Sequence, residues 1–212
     1  MIDALYKHRI DGWFDRLGAR VARAGVSADA ITWLALGLGA VNALAFLGHR
    51  SSLAFGLCLA LVGLLDDLDG AVARATRRST RAGSFLDAWA DRYQELFALL
   101  AVASVTGYWG VSFLAVTGSH LVSYTHARAA MEGASAAAGR GRLPDLFERF
   151  ERVALLCLGL VLSPLLPRDL AWGRDLLFWA LCLLALMTHL TALQRFRRGM
   201  AQLRSAPGEP GS

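Results

Sequence analysis

The sequence predicts an all-α integral membrane protein: six transmembrane helices preceded by an N-terminal amphipathic helix lying in the membrane interface. Three observations predict it. The 212 residues are 55% hydrophobic, with a mean hydropathy of +0.42, more apolar than soluble domains. The apolar residues come in blocks of about 20, the length that crosses a bilayer. Most charges collect between those blocks, and Lys7 is the single lysine among 22 basic residues.

Residues 1–27 form the first element. Ile2, Leu5, Tyr6, Ile10, Trp13, Phe14, Leu17 and Val21 recur every three or four positions among Lys7, Arg9, Arg16, Arg20 and Arg23. That period is helical, and the charge is too high to span, so this helix lies at headgroup depth with Trp13. Gly25-Val26-Ser27 punctuates, and Ser27 or Asp29 offers a cap for the next helix. The first apolar run starts near Ala28, after the charged stretch, and reads as an anchor that stays.

One helical domain then occupies 28–198, with spans at about 30–48, 53–74, 83–106, 108–131, 148–167 and 173–195. The second span contains Asp66, Asp67 and Asp69, and the third opens with Asp87 and Asp91. Both are kept long because charged faces inside a span point into the bundle. Gly37, Gly39, Ala60 and Gly63 allow helices to approach closely. Cys58, Cys157 and Cys182 sit in apolar runs without ligand spacing and read as packing residues. Residues 199–212, ending in SAPGEPGS, are expected to be a disordered tail.

Orientation follows from the arginines. The N-terminal helix, Arg74, Arg77, Arg78, Arg81, Arg128, Arg140, Arg142, Arg149, Arg152, Arg195, Arg197, Arg198 and Arg204 fall on one side. Arg50, Arg168 and Arg174 fall on the other. The positive-inside rule makes the richer side cytoplasmic, with both termini. The net charge of +5 points to anionic lipid or phosphorylated substrates. Nucleic acid is not an expected partner, because the arginines lie in turns between spans.

The chemistry concentrates in 66–91. Asp66 and Asp69 are i,i+3 and Asp87 and Asp91 are i,i+4, so each pair shares one helix face. Packed antiparallel, the two helices bring four carboxylates together at the cytoplasmic boundary, tolerable only with cations between them. Oxygen-only donors favour Mg²⁺ or Mn²⁺ over zinc.

The spacing D-x2-D-G-x2-A-R-x8-G-x3-D-x3-D, carried by Asp66, Asp69, Gly70, Ala73, Arg74, Gly83, Asp87 and Asp91, resembles the signature of the CDP-alcohol phosphotransferase (phosphatidyltransferase) family. Eight fixed positions coincide by chance in at most roughly one window in 10⁸ at ordinary residue usage. Ser123-Tyr124-Thr125-His126-Ala127-Arg128, Glu148-Arg149-Phe150-Glu151-Arg152 and the Asp91-Arg92 pair resemble the branch that makes phosphatidylinositol phosphate and archaetidylinositol phosphate. The branch more often has Lys or Arg at the place of His126. Family members often carry Thr-Pro-Asn or Thr-Pro-Asp where this chain reads Ser27-Ala28-Asp29.

The resemblance implies a phospholipid-synthesis transferase in a bacterial or archaeal membrane. A phosphatidyl group would move from CDP-diacylglycerol to a small polar acceptor, with release of CMP to the cytoplasm. It implies two Mg²⁺ or Mn²⁺ ions held by Asp66, Asp69, Asp87 and Asp91, with Asp91 also the catalytic base. Gly70, Arg74, Thr80 and Gly83 would contact the nucleotide. His126, Arg128, Arg149 and Arg152 would bind the acceptor, with inositol phosphate favoured and glycerol 3-phosphate or a neutral or amino alcohol as alternatives. A homodimer is compatible with the pattern. The competing reading is a non-catalytic ion-binding transporter, whose carboxylates would sit nearer mid-membrane.

Overall fold

The computed structural model describes residues 3–76, 80–134, 145–167 and 169–205, with side chains from position 12 onward. Those residues form seven α-helices and no named strand: α1 (Asp3–Arg23), α2 (Ala28–His49), α3 (Ser52–Thr76), α4 (Arg81–Thr106), α5 (Trp109–Met131), α6 (Arg149–Leu162) and α7 (Leu176–Ser205). Arg77, Arg78, Arg140, Arg142 and Arg168 lie outside the described residues, as do Ile2, positions 206–212, and the side chains of Leu5, Tyr6, Lys7, Arg9 and Ile10.

The helix starts are written in short polar side chains. Ser27 caps α2 by accepting from the Ala30 N–H at 3.2 Å, and Thr80 caps α4 by accepting from the Gly83 N–H at 2.9 Å. Each satisfies a donor that the first turn leaves open. Glu148 and Glu151 form a capping box at the start of α6, with the Glu148 N–H donating to Glu151 Oε2 at 3.1 Å. That box fixes Arg149 and Arg152 on one face, a turn apart.

Two ends differ from the sequence expectation. The fifth span, expected to reach 167, stops as an α-helix at Leu162 and continues only as a 3-10 turn, Ser163–Leu165. Pro164 lacks the N–H that the helix needs and cannot continue it. The last helix runs to Ser205, seven residues into the segment 199–212 expected to be disordered. There Gly199 packs against Ala129 of α5, so the extension has a partner.

Two helices, α2 and α7, are each long and apolar enough to cross a membrane. The main core joins Phe46 of α2, Phe55 and Leu59 of α3, Leu99 and Val102 of α4, Leu156 and Leu160 of α6, and Leu181 of α7. Phe46 and Phe55 stack with ring centroids 4.3 Å apart. A smaller core of Phe14, Ile31, Leu68, Ala71 and Val72 fastens α1 to α2 and α3. The helices cross at small residues: a Cβ on Gly18 would lie 2.7 Å from the Ala71 backbone, and one on Gly56 would lie 2.8 Å from Leu160 Cβ. Gly63 meets Val153 at 3.7 Å, whereas Gly37, expected to serve the same purpose, has nothing within 4 Å.

Candidate active site

The site lies where the C-terminal part of α3 meets the N-terminal half of α4. Asp66 and Asp69 project from α3 and Asp87 from α4, and one ligand oxygen from each falls within 4.8 Å of the others. Asp66 and Asp69 are buried and Asp87 is half-buried. Oxygens around an octahedral Mg²⁺ at about 2.0–2.1 Å lie about 3 Å apart on adjacent positions and about 4.2 Å apart on opposite ones. These three need only a small inward shift to share one ion. The spacing and the all-oxygen donor set therefore fit a divalent ion.

Neutral donors hold two of these carboxylates in place. The Thr32 hydroxyl on α2 donates to Asp69 Oδ2 at 2.5 Å, and the Gln94 amide donates to Asp66 Oδ1 at 3.2 Å. Neither residue supplies charge, so the negative charge of the group is left for a cation. Arg149 of α6 supplies part of it. Its Nη1 pairs with Asp66 Oδ2 at 2.5 Å, and its Nη2 lies 2.6 Å from Asp91 Oδ1.

Asp91 stands one turn along α4 from Asp87 and faces Arg149; Arg92 Nη2 is 3.9 Å from its other oxygen. The close Arg149 contact is an ion pair without hydrogen-bond alignment. The structure thus gathers Asp66, Asp69 and Asp87 into one group and sets Asp91 beside it.

The expected nucleotide residues are placed as follows. Thr80 is the α4 cap, and a Cβ on Gly83 would sit 3.1 Å from both Thr80 Oγ1 and Asp29 Oδ1. A Cβ on Gly70 would meet Arg74 Nη1 at 3.4 Å. Arg74 itself pairs with Asp15 of α1, Nη2 to Oδ1 at 3.1 Å.

The four expected acceptor residues divide. Arg149 and Arg152 line a small pocket, partly open to solvent, with Asp91, Gln94, Glu95 and Leu59 among its walls. Arg152 is buried at 4% exposure and donates from Nε to Glu95 Oε1 at 3.0 Å. His126 and Arg128 are exposed on α5 and do not line that pocket; Arg128 pairs with Glu132 one turn on.

Glu95 was not expected from the sequence. It accepts from Arg152 and from the Ser119 hydroxyl of α5, and pairs with Arg92 Nη1 at 2.8 Å. Arg92 Nη1 also donates to Ser119 Oγ at 3.1 Å. This network ties α4, α5 and α6 together behind the carboxylates. A second one joins Asp145 to Arg195 and Arg198 of α7, and Arg195 Nη1 donates to the Val122 carbonyl at 3.1 Å.

Comparison with known proteins decides the lineage. The model of the CDP-alcohol phosphatidyltransferase family matches residues 25–191. The chain belongs to that family. Within the family, it is 34% identical over 145 residues to archaetidylinositol phosphate synthase of Pyrococcus horikoshii, covering 67% of this chain and 73% of that one. It is 30% identical over 199 residues to phosphatidylinositol phosphate synthase of Mycobacteroides abscessus, covering 91% and 84%. Its fold matches crystal structures of the Mycobacterium tuberculosis phosphatidylinositol phosphate synthase at 22% identity. The one with CDP-DAG bound superposes with a TM-score of 0.73, covering 94% of this chain and 97% of that one. The one in complex with manganese and citrate gives 0.76, covering 94% and 95%. This family member is a transferase of phospholipid synthesis.

Proposed function

We propose that the protein transfers a phosphatidyl group from CDP-diacylglycerol to a hydroxyl of inositol phosphate and releases CMP. The convergence of Asp66, Asp69 and Asp87 beside Asp91 and Arg149 carries this reading. The acceptor assignment is supported by the relatives' names and by Arg149, whose partly exposed guanidinium lines the pocket. A guanidinium fork matches two oxygens of a phosphate at once, a pairing that a neutral alcohol does not offer.

Asp66, Asp69 and Asp87 would hold two Mg²⁺ or Mn²⁺ ions, with Asp91 closing the shell. Bound there, the ions would neutralise the diphosphate and the charge developing on the leaving group. Asp91 orients the acceptor hydroxyl and takes its proton as the new P–O bond forms on the β-phosphorus and the bond to CMP breaks. Gly70 and Gly83 leave room for the nucleotide between α3 and α4, and Thr80 and Arg74 stand at its edge. Thr32 and Gln94 keep two carboxylates from turning away.

In the membrane, α2 to α7 cross, α6 only together with the 3-10 turn that extends it, and α1 lies in the interface, where Trp13 is exposed. The arginine bias puts both termini and the site in the cytoplasm. Exposed apolar side chains such as Leu44 and Phe113 meet lipid or a second copy of the chain.

The test is CMP release by the purified enzyme from CDP-diacylglycerol. It is run with inositol phosphate, glycerol 3-phosphate, inositol and serine as acceptors, in Mg²⁺ and after exhaustive chelation. The expected result is turnover with inositol phosphate alone, lost on chelation and restored by Mg²⁺ or Mn²⁺. Efficient turnover with an unphosphorylated alcohol sinks the acceptor assignment. Full turnover after chelation sinks the metal reading.

A further inference from the structure

We propose that Arg149 is a resident counter-cation for Asp66 and Asp91 which an incoming divalent ion displaces, so that metal loading frees this arginine. The proposal rests on the reading of the three carboxylates as a metal site. It goes beyond that reading in making the site's own arginine the competitor.

Three observations point this way. Asp66 is only 2% exposed, and its described partners are the neutral Gln94 amide and Arg149. A buried carboxylate needs a positive partner, and here the partner sits on Oδ2 of a residue that also belongs to the metal-binding group. A guanidinium and a metal ion compete for the negative charge of one carboxylate, so occupancy by one weakens the other.

Arg149 is also built to leave. Its side chain is 32% exposed, against 4% for Arg152 one turn further along the same face. Arg152 is fixed by Glu95, while the Arg149 contact to Asp91 lacks hydrogen-bond alignment. Arg149 already lines the pocket beside Asp91 and Glu95, and its side chain is partly open to solvent, so a released guanidinium has water to enter. There its fork is free to take two oxygens of a phosphate.

The exchange is thermodynamically reciprocal: what Arg149 gives Asp66 in the empty state is subtracted from the metal's affinity. The experiment measures Mn²⁺ binding to the purified full chain, by the loss of the free-ion electron paramagnetic resonance signal. Wild type is compared with Arg149→Gln, Arg149→Lys, Arg74→Gln and Asp69→Asn. Arg149→Gln is expected to bind Mn²⁺ between about 5- and 150-fold more tightly, the usual range of such couplings. Arg149→Lys should fall between it and wild type, because an ammonium lacks the fork that reaches both carboxylates. It carries the test if Arg149→Gln does not fold. Arg74→Gln removes an equal charge near the group, but from a side chain already held by Asp15. It should tighten binding less than about fivefold. Asp69→Asn should abolish tight binding.

Unchanged or weaker Mn²⁺ affinity in both Arg149 variants overturns the exchange while leaving the metal site standing. Equal tightening in Arg149→Gln and Arg74→Gln overturns it too, since that is only the loss of a general positive field. Wild-type affinity in Asp69→Asn overturns the metal site itself and the exchange with it.

Discussion

The acidic and basic walls of the site use their charges in opposite ways. On α3 and α4, Asp66, Asp69 and Asp87 face one another with neutral donors and one shared arginine, an arrangement open to cations. On the basic wall behind them, Arg92 of α4 and Arg152 of α6 are already closed on Glu95 and Ser119. The comparison teaches that arginines near a site do not by themselves measure its capacity for anions. What counts is whether each guanidinium is already matched by a carboxylate. By that measure the acidic wall is a receptor and most of the basic wall is a frame.

The sharpest way to break the comparison is at Asp91, which stands between the walls. Asp91→Asn keeps the size and removes the charge. Transfer should fall by about 10²–10⁴, the usual worth of a general base, while the protein still inserts and binds CDP-lipid. A variant keeping more than a tenth of the wild-type rate would remove Asp91 from the chemistry.

The frame is tested at Arg152. Arg152→Ala leaves buried Glu95 with Arg92 and Ser119 only, a change that should cost less than the about 3–5 kcal/mol of a fully uncompensated buried charge. Thermal unfolding in detergent should drop accordingly, with the loss visible without substrate. A variant as stable as wild type but with a raised acceptor KM would make Arg152 a ligand and not part of the frame.

Smaller effects are expected at the periphery. Gly18→Leu forces a side chain into Ala71 where α1 crosses α3, and overpacking of this kind costs about 1–3 kcal/mol. It should loosen the Asp15–Arg74 pair and release α1 to limited proteolysis; an unchanged cleavage pattern would show that the crossing is not tight. Arg128→Ala should shift stability by less than about 1 kcal/mol, because both halves of the pair with Glu132 are about half exposed. A large rise in acceptor KM there would return Arg128 to the binding set.

The acidic wall was legible because its residues come from two consecutive helices at i,i+3 and i,i+4, where spacing alone dictates a shared face. The Ser27 cap was legible for a similar reason: a hydroxyl before an apolar run has a local task. Glu95 was not, since its partners Ser119 and Arg152 lie 24 and 57 positions away. One signal was present, because Arg92 and Glu95 stand i,i+3 inside an apolar run, where charges are rarely idle. The diversion of Arg74 to Asp15, 59 positions earlier, had no local trace. Nor could spacing reveal that His126 and Arg128 stay on the surface while Arg149 and Arg152 turn inward. The Glu148–Glu151 box fixes the start of α6, whereas the α5 pair follows only the phase of its own helix.

The shortness of α6 has a consequence for how the chain is made. Fourteen residues at 1.5 Å rise reach about 21 Å, less than the roughly 30 Å of hydrocarbon in a bilayer. The segment also carries Arg152, a charge that resists partition into lipid. Glu95 precedes Arg152 by 57 residues and has only Arg92 of its own helix as a charged partner until α6 arrives. Entry of α6 into a bilayer would therefore be coupled to its docking on α3 and α4. A chain stalled before that docking would leave Arg149 and Arg152 without their partners on α3 and α4, the kind of defect by which membrane quality control recognises unfinished proteins.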